Sequence, residues 1–83
     1  GAYHPAFGEL VRSKIYLDRI NDYLDKNLTV SSNVIIEVNP KKLSRVKGNR
    51  NINTRELEKN PLVKSLQILP QENAEDINIL IKA

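Results

Sequence analysis

The chain has 83 residues, thirteen of them basic and ten acidic, and it contains no cysteine. This length fits one domain, residues 1–83, with a modest hydrophobic core. The absence of cysteine excludes disulfides and thiolate metal sites and favours a cytoplasmic location. No apolar run approaches the roughly 20 residues that a membrane span needs. Because the chain opens on Gly1 rather than methionine, we expect it to be an excised C-terminal domain of a larger protein.

Apolar residues recur every three or four positions from Phe7 to Leu24, which predicts an amphipathic helix. Pro5 suits the first turn of a helix, and Asn27 suits its end. The predicted helix therefore extends from Pro5 to Lys26. Residues 1–32 would form a helical arm that joins the domain to its parent protein.

Three later segments are typical of β-strands. Residues 33–38 are β-branched and bounded by turn formers, so we expect a largely buried strand there. Two more strands are expected at residues 63–69 and 76–81. Because only a short polar turn separates them, the second and third strands are predicted to pair as a hairpin.

Two short helices are predicted between the first and second strands. Asn39 is a good N-cap before Pro40 at the first helical position. Gly48 can end the first helix in the left-handed conformation, and Asn51 can cap the second. The resulting order, α–β–α–α–β–β, predicts an α+β fold in which the helices cover one face of a three-stranded sheet.

Positive charge is concentrated around these two helices. Residues 39–64 carry eight basic and two acidic residues, whereas the rest of the chain carries five basic and eight acidic residues. The net charge of +3 therefore originates in this segment. A basic turn between helices is a common way to hold a phosphate backbone. The alternative is a solvated surface with a lysine bias, and charge alone does not separate the two.

The order strand, helix, turn, helix, strand resembles the minimal plan of a KH domain, whose G-x-x-G loop contacts single-stranded nucleic acid. Glycine allows the backbone to approach phosphate closely. In residues 48–51, reading GNRN, Asn51 replaces the second glycine, and Lys47 and Thr54 replace aliphatic residues of the KH pattern. The resemblance implies a single-stranded RNA surface. Its predicted residues are Lys41, Lys42, Arg45, Lys47, Gly48, Asn49, Arg50, Asn51 and Arg55.

A second resemblance covers most of the chain through short motifs: Tyr3–Ser13, Asn39–Ser44, Gly48, Asn51–Ile52 and Leu57. They resemble the C-terminal domain of bacterial radical SAM proteins that are similar to the elongator catalytic subunit, or are described as coproporphyrinogen-oxidase-like iron–sulfur oxidoreductases. The resemblance implies a parent enzyme that binds a 4Fe–4S cluster and S-adenosylmethionine upstream, since this chain lacks the cysteines that a cluster requires. Elongator-like enzymes modify tRNA, so a tRNA-like substrate is implied by analogy.

Other candidate chemistry is sparse. His4 is the only histidine, and it has no cysteine or acid pair beside it in sequence, so we expect no metal site. No glycine-rich nucleotide fingerprint or paired nucleophile and base is present, so we expect no catalysis and no cofactor. A structural function remains open beside RNA contact: the first helix would dock on the parent's catalytic barrel as part of a lid. Exposed apolar residues on a second helix face, such as Tyr16 beside Ile20, would favour it.

Overall fold

The computed structural model describes the backbone of residues 5–83 and the side chains of residues 11–83. Predictions that concern residues 1–4, including His4, fall outside this range. The helices and strands in chain order are α1 (Pro5–Asn27), β1 (Ser32–Val38), α2 (Leu43–Lys47), α3 (Ile52–Glu58), β2 (Val63–Pro70) and β3 (Ile77–Lys82). Short 3₁₀ turns, Pro40–Lys42 and Asn49–Asn51, precede α2 and α3. The α+β fold and the order of elements are thus confirmed.

The long helix α1 is amphipathic, as its sequence period predicts. Leu17, Ile20 and Leu24 are buried on one side, while Lys14 pairs with Asp18 at 3.0 Å on the solvent side. Pairs at this spacing add only about 0.2–0.5 kcal/mol, so α1 owes its stability mainly to its apolar face. None of the helices that the structure describes, α1 included, combines the length and apolarity needed to cross a membrane.

The three strands form one mixed sheet in the order β2-β1-β3. β1 pairs with β2 in parallel and with β3 antiparallel, so the predicted hairpin of β2 and β3 is wrong. The link between these strands instead crosses the end of β1. There the amide of Gln71 donates to the carbonyl of Val38 at 2.8 Å, and the amide of Asn39 donates to the carbonyl of Asp76 at 3.2 Å. This arrangement places the most deeply buried strand, β1, in the centre, where both of its edges are paired.

The core lies on one face of the sheet, between β1 and the helices. Val34, Ile36 and Val38 have no exposed area, whereas the residues between them are only half-buried. β1 is therefore buried on one face and not on both. Burying an isoleucine or leucine completely stabilises the fold by about 1.5–3 kcal/mol. The core residues are Leu17, Ile20, Leu24, Leu28, Val34, Ile36, Val38, Val46, Leu57 and Ile68.

Candidate nucleic-acid interface

The turn between α2 and α3 begins at Gly48, whose φ of 79° and ψ of 166° define a region that essentially only glycine occupies. The positive φ was predicted, but the conformation is extended and not left-handed helical. A Cβ at this position would lie 2.8 Å from Cγ2 of Ile52 and 3.1 Å from the backbone nitrogen of Asn53. The Gly48 amide also donates to the carbonyl of Ser44 at 2.9 Å. Gly48 therefore ends α2 and lets α3 pack closely behind it.

Two consecutive left-handed residues complete the turn, Arg50 (φ 55°, ψ 32°) and Asn51 (φ 59°, ψ 32°). Asparagine tolerates this region, but the conformation costs most other residues about 1–2 kcal/mol. Asn51 precedes α3 as predicted, although its side chain makes no capping bond. Its amide instead donates to the carbonyl of Gly48 at 3.1 Å, which closes the turn. Strained backbone of this kind, here at Arg50, is concentrated at functional sites in proteins.

Asn53 attaches the turn to the rest of the fold. Its Nδ2 donates to the carbonyl of Ser13 in α1 at 2.8 Å and to that of Val46 in α2 at 3.1 Å. Only 2% of Asn53 is exposed, so these bonds are protected from water. Asn53 was not among the residues predicted from the sequence. The available signal was its i, i+4 spacing to Leu57, which places both residues on the inward face of α3. Ile52, by contrast, is 49% exposed.

The cations of the predicted RNA surface fall into two groups. Four of them form no ion pair with any residue that the structure describes: Lys41, Lys47, Arg50 and Arg55. Of these, Lys47 is half-buried and the other three are exposed, and the turn residues Asn49 and Asn51 are exposed beside them. Positive charge at this surface is therefore open to an external anion. Arg45 is placed differently: it is half-buried. It lies near Tyr16, where its positive charge acts to lower the pKa of the phenol.

Lys42, in contrast, belongs to a polar cluster around Asp76, which we call the Asp76 cluster: Tyr16, Arg19, Lys42 and Asp76. Asp76 Oδ1 accepts from the Tyr16 hydroxyl at 2.7 Å and lies 3.5 Å from Lys42 Nζ. Asp76 Oδ2 accepts from Arg19 Nη1 at 2.9 Å. Lys42 Nζ also donates to the carbonyl of Glu75 at 3.1 Å. The cluster joins α1, the first 3₁₀ turn and the link before β3, so Lys42 is already engaged inside the fold.

Opposing effects set the ionisation of this cluster. Partial burial alone raises the pKa of Asp76, but the hydrogen bonds from Tyr16 and Arg19 and the charges of Arg19 and Lys42 outweigh it and hold that pKa below its ordinary value. Burial, followed by the bond to Asp76, raises the pKa of the Tyr16 phenol. At neutral pH, Asp76 is therefore charged and Tyr16 protonated, and the bonds between them are intact.

Within residues 11–83, no group of three or more His, Asp or Glu side chains is placed to hold a metal ion. No family model matches the sequence, and no curated protein or solved structure shows significant similarity to it. The resemblances to KH domains and to radical SAM proteins thus stay predictions. What the chain does must be inferred from the turn and the charges around it.

Proposed function

We propose that this chain is a non-catalytic domain that contacts single-stranded RNA through the turn at residues 48–51. One observation carries the proposal: an exposed, left-handed turn is fixed to the core and surrounded by cations that have no acidic partner among the described residues. Elsewhere the described cations are often neutralised locally, as in the pairs of Lys26 with Asp22 at 3.0 Å and Lys59 with Glu56 at 2.9 Å.

The chemistry of the turn suits a phosphate backbone. Lysine and arginine side chains neutralise phosphates and release counterions, which supplies most of the sequence-independent affinity. The amide side chain of Asn49 can donate to phosphate or sugar oxygens, the groups that receive most protein contacts in such complexes. Because Asn53 and Gly48 already fix the turn, little conformational entropy would be lost on binding.

The wider setting is also a proposal. The resemblance of Tyr3–Ser13 and of the segment from Asn39 to Leu57 to the radical SAM group supports a cytoplasmic parent enzyme that carries a 4Fe–4S cluster and S-adenosylmethionine. In that setting the domain would hold a tRNA-like substrate near the parent's active site. The domain itself would contribute position and charge, and the chemistry would belong to the catalytic barrel.

The dependence of RNA affinity on salt tests the proposal. Four to six neutralised phosphates predict a slope of log affinity against log salt of about −3 to −4 for a single strand. The variant Asn49→Asp with Arg50→Asp should abolish most of the binding, and its fold should persist because aspartate tolerates the left-handed region. A matched control, Lys64→Glu with Gln67→Glu on β2, makes the same charge change away from the turn.

The two double variants separate specific contact from diffuse attraction. If both reduce affinity equally, the turn has no special part and only net charge matters. If the unmodified chain shows no RNA affinity even at low salt, the proposal fails. Neutralising Lys41, Lys47 and Arg55 one at a time should flatten the salt slope by about 0.7 for each phosphate that is no longer neutralised.

One observation favours the second candidate function, a structural lid on the parent's catalytic barrel. Val11 and Ile15, one helical turn apart on α1, are 44% and 52% exposed. The pair expected from the sequence does not form this face, because Ile20 is fully buried and Tyr16 is bonded to Asp76. In the intact parent, Val11→Ser with Ile15→Ser should lower the melting temperature if this face docks on the barrel, and should leave RNA affinity unchanged.

A further inference from the structure

The two edges of the sheet differ in how they are protected. The pairing of β2 with β1 contains a register shift between Ser32 and Asn33, and β2 itself carries Lys64 and ends at Pro70. Bulges, lysine and proline are the devices that block pairing of an edge strand with another chain. β3 has none of them along Ile77–Ile81, and its one charged residue is the terminal Lys82. β3 therefore presents a flat, uncharged edge.

This edge has no partner in the part of the chain that the structure describes. β3 pairs with β1 alone, and no backbone hydrogen bond joins its other edge to another segment. Ile77, Ile79 and Ile81 face the helices yet stay half-buried, while the β1 residues paired with them are completely buried. A groove of about 750 Å³ separates β3 from the second half of α1, where it is lined by Arg19 and Tyr23 among others. The edge is therefore reachable by an added strand.

We propose that this edge pairs antiparallel with the same edge of a second copy of the chain. The register that keeps helix-side residues opposite one another places Ile79 opposite Ile79 of the second copy, and Ile77 opposite Ile81 of the second copy. The same register brings Lys82 opposite Asp76 of the second copy. That carboxylate is engaged within its own chain, but its side chain remains 35% exposed, so opposite charges approach at both ends and no like charges meet between them. The product is a two-fold symmetric dimer with one continuous six-stranded sheet.

The dimer is independent of the proposed RNA surface. α3, which follows the turn, packs over β2, and β2 forms the opposite edge of the sheet from β3. The turn therefore stays open when two β3 edges are paired. Failure of RNA binding would leave this inference intact, and a monomeric chain would leave the RNA proposal intact. An interface built on one six-residue strand is smaller than the standard interface, so we expect a weak dimer that dissociates on dilution.

Cysteine crosslinking tests the register, since the chain has no cysteine of its own. Directly opposed residues in antiparallel strands have Cα atoms about 4.5–5.5 Å apart, within the range of a disulfide. The variant Ile79→Cys should therefore form a disulfide-linked dimer under mild oxidation. Leu66→Cys is the matched control, because Leu66 is also half-buried and faces the helices, but lies on the protected edge strand. It should crosslink several-fold more slowly.

Sedimentation velocity of the unmodified chain, from low micromolar to millimolar concentration, tests the association itself. We expect a shift from monomer to dimer that Ile79→Lys abolishes, because two lysines would then face each other across the axis. Leu66→Lys should still dimerise, and circular dichroism establishes that both variants are folded. A chain that stays monomeric throughout, or equal crosslinking at positions 66 and 79, would overturn the proposal. A monomer whose β3 edge captures an unrelated extended peptide would overturn it equally.

Discussion

Two polar regions of this small domain use the same residue types in opposite ways. In the Asp76 cluster, Arg19 and Lys42 surround a carboxylate and a phenol, and each donates to an acceptor within the fold. Around the turn, cations such as Arg50 and Arg55 face no acid among the described residues. One region is neutralised inside the fold and stabilises it; the other leaves its charge available to a partner. The difference lies in position relative to one acid: Asp76 engages Arg19 and Lys42, whereas Arg50 and Arg55 have no acidic partner among the described residues.

The largest expected effect comes from Gly48→Ala, which attacks the backbone of the turn. The added Cβ would meet Ile52 and the backbone of Asn53 in a conformation that only glycine adopts readily. Strain and overpacking together should lower the free energy of unfolding by about 2–4 kcal/mol. Chemical denaturation measures this loss. An unchanged unfolding midpoint would show that the turn has another conformation in solution.

Asn53→Ala should remove the attachment of the turn to α1. The carbonyls of Ser13 and Val46, both in buried residues, would each lose the bond that Asn53 donates. The expected loss of stability is about 1–3 kcal/mol. Ile52→Ala at the neighbouring exposed position is the control and should cost much less. Similar losses for the two variants would mean that the bonds of Asn53 contribute nothing specific.

Asp76→Ala should break the cluster that is neutralised within the fold. Hydrogen bonds to a charged group are worth about 1.5–3 kcal/mol when buried, but the Asp76 side chain is 35% exposed. Solvent screening reduces the expected loss to about 1 kcal/mol.

The loss should also depend on pH in a defined direction. Because the pKa of Asp76 is lowered in the fold, its contribution is fully present above the unfolded pKa, about 3.9, and disappears as pH falls through the folded value. Thermal melts of both proteins should therefore differ at pH 7 and converge below about pH 4. A constant difference down to strongly acidic pH would contradict the assignment.

The smallest effect on stability is expected for the cations of the turn. Replacing Lys41, Lys47 and Arg55 together by glutamine should change the free energy of unfolding by no more than about 0.5 kcal/mol per residue. The same variant should bind single-stranded RNA more weakly than the unmodified chain. A strong loss of stability would place these side chains among the structural cations, with Lys42.

Much of the fold could be predicted from the chain, because the signals are local. The 3.6-residue period marks α1, and the cap at Asn39 is confirmed by the bond from the Lys41 amide to its side-chain oxygen at 3.0 Å. The partner of β3 could not be predicted, since adjacency in sequence favours a hairpin. The link between β2 and β3 passes over the end of β1 and bonds to it at Val38 and Asn39. No local sequence pattern marks this path.

The candidate site shows the same division. The positive φ at Gly48 and Asn51 follows from a glycine and an asparagine at those positions, whereas the left-handed conformation of Arg50 has no such signal in the sequence. Lys42 is engaged inside the fold because it contacts Asp76, which lies 34 residues further along the chain. Asp76 in turn bonds to Tyr16, from which it is separated by 60 residues. Contacts of this separation follow from the fold and not from any local pattern. The charge pattern alone therefore predicts Lys42 as part of the RNA surface.

The most direct test of the contrast between the two regions is a titration of the labelled chain with short single-stranded RNA at low salt, followed by amide chemical shifts. The predicted result is a set of perturbations centred on residues 48–51 and on Lys47 and Arg55, with the amides of Arg19 and Asp76 unchanged. Perturbations centred on the Asp76 cluster or on the exposed face of α1, or none at all, would contradict the assignment of the turn as the RNA surface.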